Sequence, residues 1–412
     1  MNNKKNKNKP PCNDKSKRRE EKEEQILQEF KNKIQDSLPP NCDDLYLKKW
    51  LKARRFDVKK AEDMYRASHL TRKKLGVNTI LDNYKPPEVL EKYLTGGLCG
   101  HDKEGSPVRI ELYGKLDMKG LMYSAKKIDM EKTKLLQCEE IVQDWKEQSV
   151  KLGRHVDQLT VIFDMTGVST KMLWKPGLQM YLHLVKVLED NYPEMMKRMF
   201  VVNAPAIFPL LYKICRPLVS DDMKNKIHVL GDDYKDVLLK YIDTGELPGF
   251  LGGNKTDPDG NPRCTSWICQ GGEVPVSYYL KDTENFTSLQ TMIVPNGETV
   301  NFTYNITEPG TVISWEFQTE GYDIGFGVFY LKDGKQISVV AMERVNSHMV
   351  PQDGNLSCQE IGTYIVCFDN TFSWTRSKTV KYRVEVIVND EELKGEINEM
   401  NEDRALTEDM CL

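Results

Sequence analysis

Few residues in this chain stand at spacings that do covalent chemistry. The 6 histidines are scattered and form no His-x-x-x-His pair, no Ser or Cys sits in a nucleophile elbow, and no phosphate-cradling Walker sequence occurs. Gly325-x-Gly327 lies in a strand-rich region without a following helix, which rules out a dinucleotide loop. Cys264 and Cys269 are close, but no second pair or nearby His completes a zinc site. The carboxylates are numerous and none is singled out as an acid–base pair, so no catalysis, metal or cofactor is expected. What remains is a Glu and a Lys, Glu194 and Lys226, on either side of a long apolar segment. An ammonium pairs with phosphate as a point charge, and a carboxylate accepts hydroxyl protons. The plainer alternatives stay open: Glu194 after Pro193 suits a helix first turn, and Lys226 suits the start of a strand or a salt bridge to Glu194.

The elements that must position this pair lie between Asn191 and Gly231. Met199–Val202 and Ile227–Leu230 are short apolar runs bounded by Pro, Asn and Gly, and read as buried strands. Between them, Phe208-Pro209-Leu210-Leu211-Tyr212-Lys213-Ile214-Cys215 has helical length and more apolar residues than one narrow stripe needs. Such a crossover helix can close a cavity.

A length of 412 residues favours two or three domains, and 39% hydrophobic with 29% charged residues is a globular composition. A net charge of −4 argues against a nucleic-acid binder, which needs a clustered cationic surface. No apolar run approaches the roughly 20 residues that span a bilayer, and Met1–Lys7 has no apolar core of a secretory signal behind its charges. A cytoplasmic protein with its 10 cysteines reduced is therefore expected, peripheral at membranes. The Asn-x-Ser/Thr triplets at Asn285, Asn301 and Asn355 then count as chance matches.

Along the chain, residues 1–24 form a charged tail too poor in apolar residues to order, and 25–78 form a small helical unit. In that unit Ile26, Phe30, Ile34 and Leu38 share a face, and Asp43 or Asp44 and then Asp57 cap the next helices. Residues 79–253 alternate strands without polar alternation (Val108–Leu112, Leu159–Asp164) with helical stripes, the pattern of an α/β domain with a buried, largely parallel sheet. Residues 254–274, rich in Asp, Pro, Gly and Asn, read as a linker. Residues 275–389 show short alternating strands between turns, an antiparallel β-sandwich, and 390–412 are an acidic tail.

Four blocks in one consistent order resemble the CRAL-TRIO lipid-transfer family, and within it the animal, supernatant protein factor-like subgroup that carries a GOLD domain. They are Leu51-Lys52-Ala53-Arg54-Arg55-Phe56-Asp57, Phe163-Asp164-Met165-Thr166-Gly167, Leu173-Trp174-Lys175-Pro176 with Asn191-Tyr192-Pro193-Glu194, and Asp257-Pro258-Asp259-Gly260-Asn261-Pro262 ahead of the sandwich. The resemblance covers about residues 25–390 and implies a sheet floor under a large hydrophobic pocket, closed by a gate helix at about 206–223. By the same resemblance Glu194 and Lys226 hold a phosphatidylinositol headgroup, and Leu159, Val161 and Phe163 form the pocket floor. The fungal phosphatidylcholine binders carry small polar residues where Leu159 and Val161 stand, so a choline headgroup is disfavoured and neutral lipids gain.

The expected function is thus an intracellular protein that sequesters a hydrophobic lipid, of tocopherol, squalene or phosphoinositide class, in a gated pocket and exchanges it at a membrane. Phe208, Leu211, Tyr212 and Ile214 are the expected gate and membrane contacts, and two readings of the closed state stay open: Phe208 and Leu211 facing outward, or a wholly buried crossover helix. The competing reading is an adaptor, its GOLD-like sandwich binding a protein partner and its α/β domain serving as scaffold.

Overall fold

The computed structural model describes residues 13–39, 42–215, 221–280 and 289–388. The acidic tail, the first 12 residues and positions 216–220 of the expected gate lie outside the described residues. Helix α1 (Asn13–Lys33) begins well before the expected start at Gln25. Its charged first half is made of good helix formers, joined by pairs such as Arg19–Glu23, and it extends from a second half whose Leu27 and Phe30 are fully buried. The missing apolar residues cost the first half a packing partner but do not unwind it. Helices α2 (Asp44–Lys52) and α3 (Val58–Leu75) complete this unit. Asp43 accepts from Leu45 N, and Asp57 from Lys60 N, so each helix start has a carboxylate on its free N–H groups. Trp50, Tyr65 and Phe30 meet edge to face in its core.

The short helices α4 (Ile80–Asn83) and α5 (Glu88–Tyr93) lead into a mixed sheet. Its strands are β1 (Gly97–His101), β2 (Pro107–Leu112), β3 (Leu159–Asp164), β4 (Met196–Val202) and β5 (Ile227–Val229), in that spatial order. Only the β1–β2 pair is antiparallel; β2 to β5 run parallel. The connections carry α6 (Met118–Ser124), α7 (Lys127–Leu152), α8 (Lys175–Asn191), α9 (Phe208–Cys215) and α10 (Asp221–Lys224), and α11 (Tyr234–Tyr241) follows β5. One sheet face, through Val108, Ile110, Ile162, Phe200 and Val202, packs on Val237 and Leu238 of α11. The opposite face carries the residues at the alternate positions and looks toward α7 and α8.

Residues 254–274, expected as a linker, are instead a strap bound to the α/β domain. Cys264 and Ile268 are fully buried with the α11 side of the sheet, and isolated bridges join Gly96 to Cys269 and Leu116 to Gly272. The Asp257 carboxylate accepts from Thr265 N, Thr265 Oγ1 and Ser266 N. Turn-forming residues shape the strap, and its few apolar residues anchor it.

The C-terminal domain pairs two antiparallel four-stranded sheets. Its strands are β6 (Gln290–Val294), β7 (Thr299–Ile306), β8 (Thr311–Thr319), β9 (Ile324–Lys332), β10 (Lys335–Val345), β11 (Gln352–Cys358), β12 (Gly362–Asp369) and β13 (Lys378–Ile387). One sheet has the order β10-β9-β12-β7 and the other β11-β8-β13-β6, around Trp315, Phe317, Phe326 and Phe368. Strand β8 is buried on both faces, because Val312 and Glu316 on its outer face meet the α/β domain. There Trp174 Nε1 donates to Glu316 Oε2 at 3.0 Å and Lys119 pairs with Asp353. Burial pushes the Glu316 carboxyl up, with the indole N–H offsetting part of the cost.

The strap makes a direct prediction. Ile268→Ala removes a fully buried side chain and should destabilise the α/β domain by about 2–5 kcal/mol in chemical denaturation. An unchanged midpoint would return the segment to a loose linker.

Candidate functional site

A cavity of 340 Å³ lies between the free sheet face and the helices that cover it, near the lower end of ligand-site volumes. Its floor follows from the side-chain period of two on each strand. In-register pairing lines up Arg109, Val161, Met199 and Ile227 in one row, and Glu111, Phe163, Val201 and Val229 in the next. Leu159, Val161 and Phe163 line the cavity. Its roof comes from two helix faces: Lys134, Gln137, Cys138 and Ile141 of α7, and Tyr181, Val185 and Leu188 of α8, at three- and four-residue spacing.

Glu194 and Lys226 sit at one side of this cavity as a direct ion pair, Lys226 Nζ to Glu194 Oε2 at 2.9 Å, each side chain about one quarter exposed. Several contacts hold the Asn191–Glu194 turn in place. Asn191 donates to Val187 O and accepts from Ser68 Oγ of α3 at 2.9 Å. The Tyr192 hydroxyl donates to Glu139, which is also paired with Arg72 at 2.8 Å. Burial pushes the Tyr192 phenol up, and the Glu139 carboxylate beside it adds to the shift, so the ring keeps its proton. Glu194 has a φ of 55°, a left-handed conformation that costs a non-glycine residue free energy. Lys226 comes into place because its carbonyl accepts from Met199 N at 2.7 Å, extending the β4–β5 register by one residue.

The helical N-terminal unit also reaches this site. Ala53, Arg54 and Arg55, from the turn between α2 and α3, line the cavity, with Arg55 at φ 51°. The sequence showed these residues as a motif and gave no sign that they line one cavity with Glu194. Asp164, at the end of β3, accepts from Thr166 N, Thr166 Oγ1 and Asn203 Nδ2, so it ties the β3 and β4 ends together and stays off the cavity floor.

Of the two readings of the gate segment, the closed state shows the buried helix. Phe208, Leu211 and Tyr212 of α9 are 8%, 4% and 5% exposed, packed with Trp174, Leu178 and Val229. Apolar content alone does not orient a helix, and here the apolar side found a core before it found solvent. The side chain of Ile214 lies outside the described residues. None of Phe208, Leu211 and Tyr212 lines the cavity.

The cavity also holds a charged group that sequence reasoning passed over. Arg109 Nε meets Glu111 Oε1 at 2.6 Å, Arg109 Nη2 donates to Gln137 Oε1 at 2.9 Å, and Lys134 Nζ lies 3.6 Å from Glu111 Oε1. Burial alone would raise the Glu111 carboxyl, but Arg109 and Lys134 outweigh it and hold the group below its ordinary range. The available signal was the alternation Val108-Arg109-Ile110-Glu111-Leu112, which puts two charges on one face of a strand beside an apolar one. Cys138, next to this cluster, is pushed up to about 12 by burial and is an inert wall rather than a nucleophile.

Among the described residues no group of three or more His, Cys, Asp and Glu is placed to hold a metal ion, and no helix is long and apolar enough to cross a membrane. The profile described as CRAL/TRIO domain matches residues 71–253, and one described as "F28H7_8_C:-like, C-terminal domain" matches 276–394. A CRAL-TRIO domain-containing protein of Caenorhabditis elegans is 33% identical over 304 residues, 70% of this chain and 41% of that protein. Protein real-time of Aedes aegypti is 30% identical, over 74% of this chain and 49% of its own length. Protein ctg-1 of Caenorhabditis elegans is 29% identical over 84% of this chain and 92% of its own length. The chain thus spans less than half of the first two relatives. The crystal structure of Sfh5 aligns at 16% identity and TM-score 0.48, covering 65% of this chain and 94% of that one, a likeness too distant to carry an argument.

The buried α9 face gives a second prediction. Leu211→Asp places an uncompensated charge in that core and should cost about 3–5 kcal/mol, seen as a sharp fall in melting temperature. A chain that melts unchanged would return Leu211 to the surface.

Proposed function

The chain belongs to the CRAL-TRIO family, a family in general of lipid-binding and lipid-transfer proteins, and from that premise we propose that it carries one hydrophobic lipid in this cavity and exchanges it at a membrane surface. The observation that supports the reading most is the cavity itself, an apolar floor of Leu159, Val161, Phe163 and Met199 closed by two amphipathic helices and entered beside a polar pair. Nothing else in the described fold needs a parallel sheet face left partly uncovered.

In this reading Glu194 and Lys226 receive a phosphoinositide headgroup, the ammonium on phosphate and the carboxylate on ring hydroxyls. Their mutual ion pair is the resting state, and the headgroup replaces it. Arg54 and Arg55 add positive charge on the same side. Tocopherol- and squalene-like lipids use the floor without the pair. In the same reading α9 leaves its core at the membrane, and the apolar residues so exposed are the contact with the bilayer. The protein works in the cytoplasm, and its sandwich is a GOLD-like module. Because the outer face of β8 is turned to the α/β domain, the β10-β9-β12-β7 sheet is the one available to a protein partner.

Lys226→Ala tests the headgroup assignment in a vesicle uptake assay. Losing one charge-assisted contact should weaken phosphoinositide uptake about 10- to 150-fold and leave neutral-lipid uptake unchanged. Equal loss of both reports a folding defect, and loss of neither removes the pair from the headgroup site.

A further inference from the structure

The polar cluster on the opposite side of the cavity is not balanced in charge. Arg109 and Lys134 are two cations that share the single carboxylate of Glu111, and Gln137 adds a neutral amide. Arg109 and Lys134 are both more than nine-tenths buried. The next carboxylate felt by Arg109 is Glu140, on the exposed side of α7 and outside the cavity lining. A desolvated cation without a counter-charge is costly, and proteins satisfy it with a partner or by releasing the proton. Burial does hold the Lys134 ammonium below its ordinary pKa, with Glu111 offsetting only part of the penalty. Among the described residues the site is therefore one negative charge short, and its open side is the cavity.

Three strand spacings separate β2, which carries Arg109, from the β5 end that carries Lys226, a distance of about 14 Å. The two polar ends are thus separate subsites joined by the row Val161 and Met199. We propose that Arg109, Lys134 and Gln137 hold the anionic head, a carboxylate or a phosphate monoester, of a single-chain amphiphile whose tail lies on Val161, Phe163 and Met199. This deepens the lipid-carrier reading and rests on it: it names a ligand class with its charge at the Arg109 end, whichever head the Glu194–Lys226 end receives. Arg109 keeps Glu111 and turns its remaining N–H groups to the head, and Lys134 supplies the point charge.

The test compares cis-parinaric acid, a fluorescent fatty acid, with its methyl ester on the delipidated full chain. The two probes share a tail and differ only in the head charge. The wild-type chain should bind the acid at least about tenfold tighter than the ester. Lys134→Met should bring the acid down to the level of the ester while the ester holds its affinity, and Lys134→Arg should restore most of the preference. Oleate and oleoyl lysophosphatidate should both displace the acid, and the stronger competitor names the head; inorganic phosphate should not. Equal binding of acid and ester by the wild-type chain, which needs no variant to be folded, overturns the inference and leaves the lipid-carrier reading standing. Binding of neither probe also overturns the inference, and the lipid-carrier reading falls with it only where mixed-lipid vesicles leave the chain at its bare mass as well. Equal weakening of both probes by Lys134→Met, or displacement by inorganic phosphate alone, overturns the assignment of an amphiphile head to this cluster.

Discussion

A sheet of parallel strands has no face it can leave to water, and the architecture of this chain follows from how its two faces are covered. One face is closed in the ordinary way, by α11 and by the strap, with Phe200, Ile162, Val202 and Ile268 in one buried apolar cluster. The other is covered at a distance. Helices α7 and α8 stand over it, and the space they leave becomes the cavity. The same strands thus build a core and a container, according to the parity of the residue: Ile162 faces the first, Val161 and Phe163 the second.

The container is kept in shape by contacts that do not line it. Ser68 of α3 meets Asn191 at the end of α8, and Arg72 of α3 meets Glu139 of α7, which in turn holds Tyr192. The N-terminal helical unit therefore acts as a brace for the Asn191–Glu194 turn, and the strained φ of Glu194 persists because both sides of the turn are tied down. At the far edge the sandwich is joined by the Trp174–Glu316 bond and the burial of Val312, so the two larger domains share a packed surface.

Much of this could be read from residues alone, and what could not has physical causes. The strands β3 and β4 were visible because burial on both faces leaves nearly continuous apolar runs, Leu159–Phe163, broken only by Thr160, and Met199–Val202. The sandwich was visible through its alternation. The strap was not, since Asp257-Pro258-Asp259-Gly260 signals a turn whether the chain is free or draped over a core, and one Ile268 weighs little in a composition. The burial of Phe208 and Leu211 stayed one of two readings for a related reason: side-chain type reports a preference for leaving water, not which surface supplies the shelter. The Arg109–Glu111–Lys134 cluster joins residues from a strand and from a helix, and only the fold makes Lys134 the neighbour of Glu111. Start points of exposed helices are similarly hidden, as α1 demonstrates, because mixed charges support a helix as readily as a coil.

The central claim is that the cavity over Val161, Phe163 and Met199 carries lipid. Native mass spectrometry of the full chain, purified and then incubated with mixed-lipid vesicles, tests it most directly. The account predicts a mass shift of one lipid per chain, recovered on extraction, and its loss when Val161→Trp fills the floor of a chain that still melts cooperatively. A chain that stays at its bare mass, or one whose lipid is held equally well with the floor filled, would contradict it.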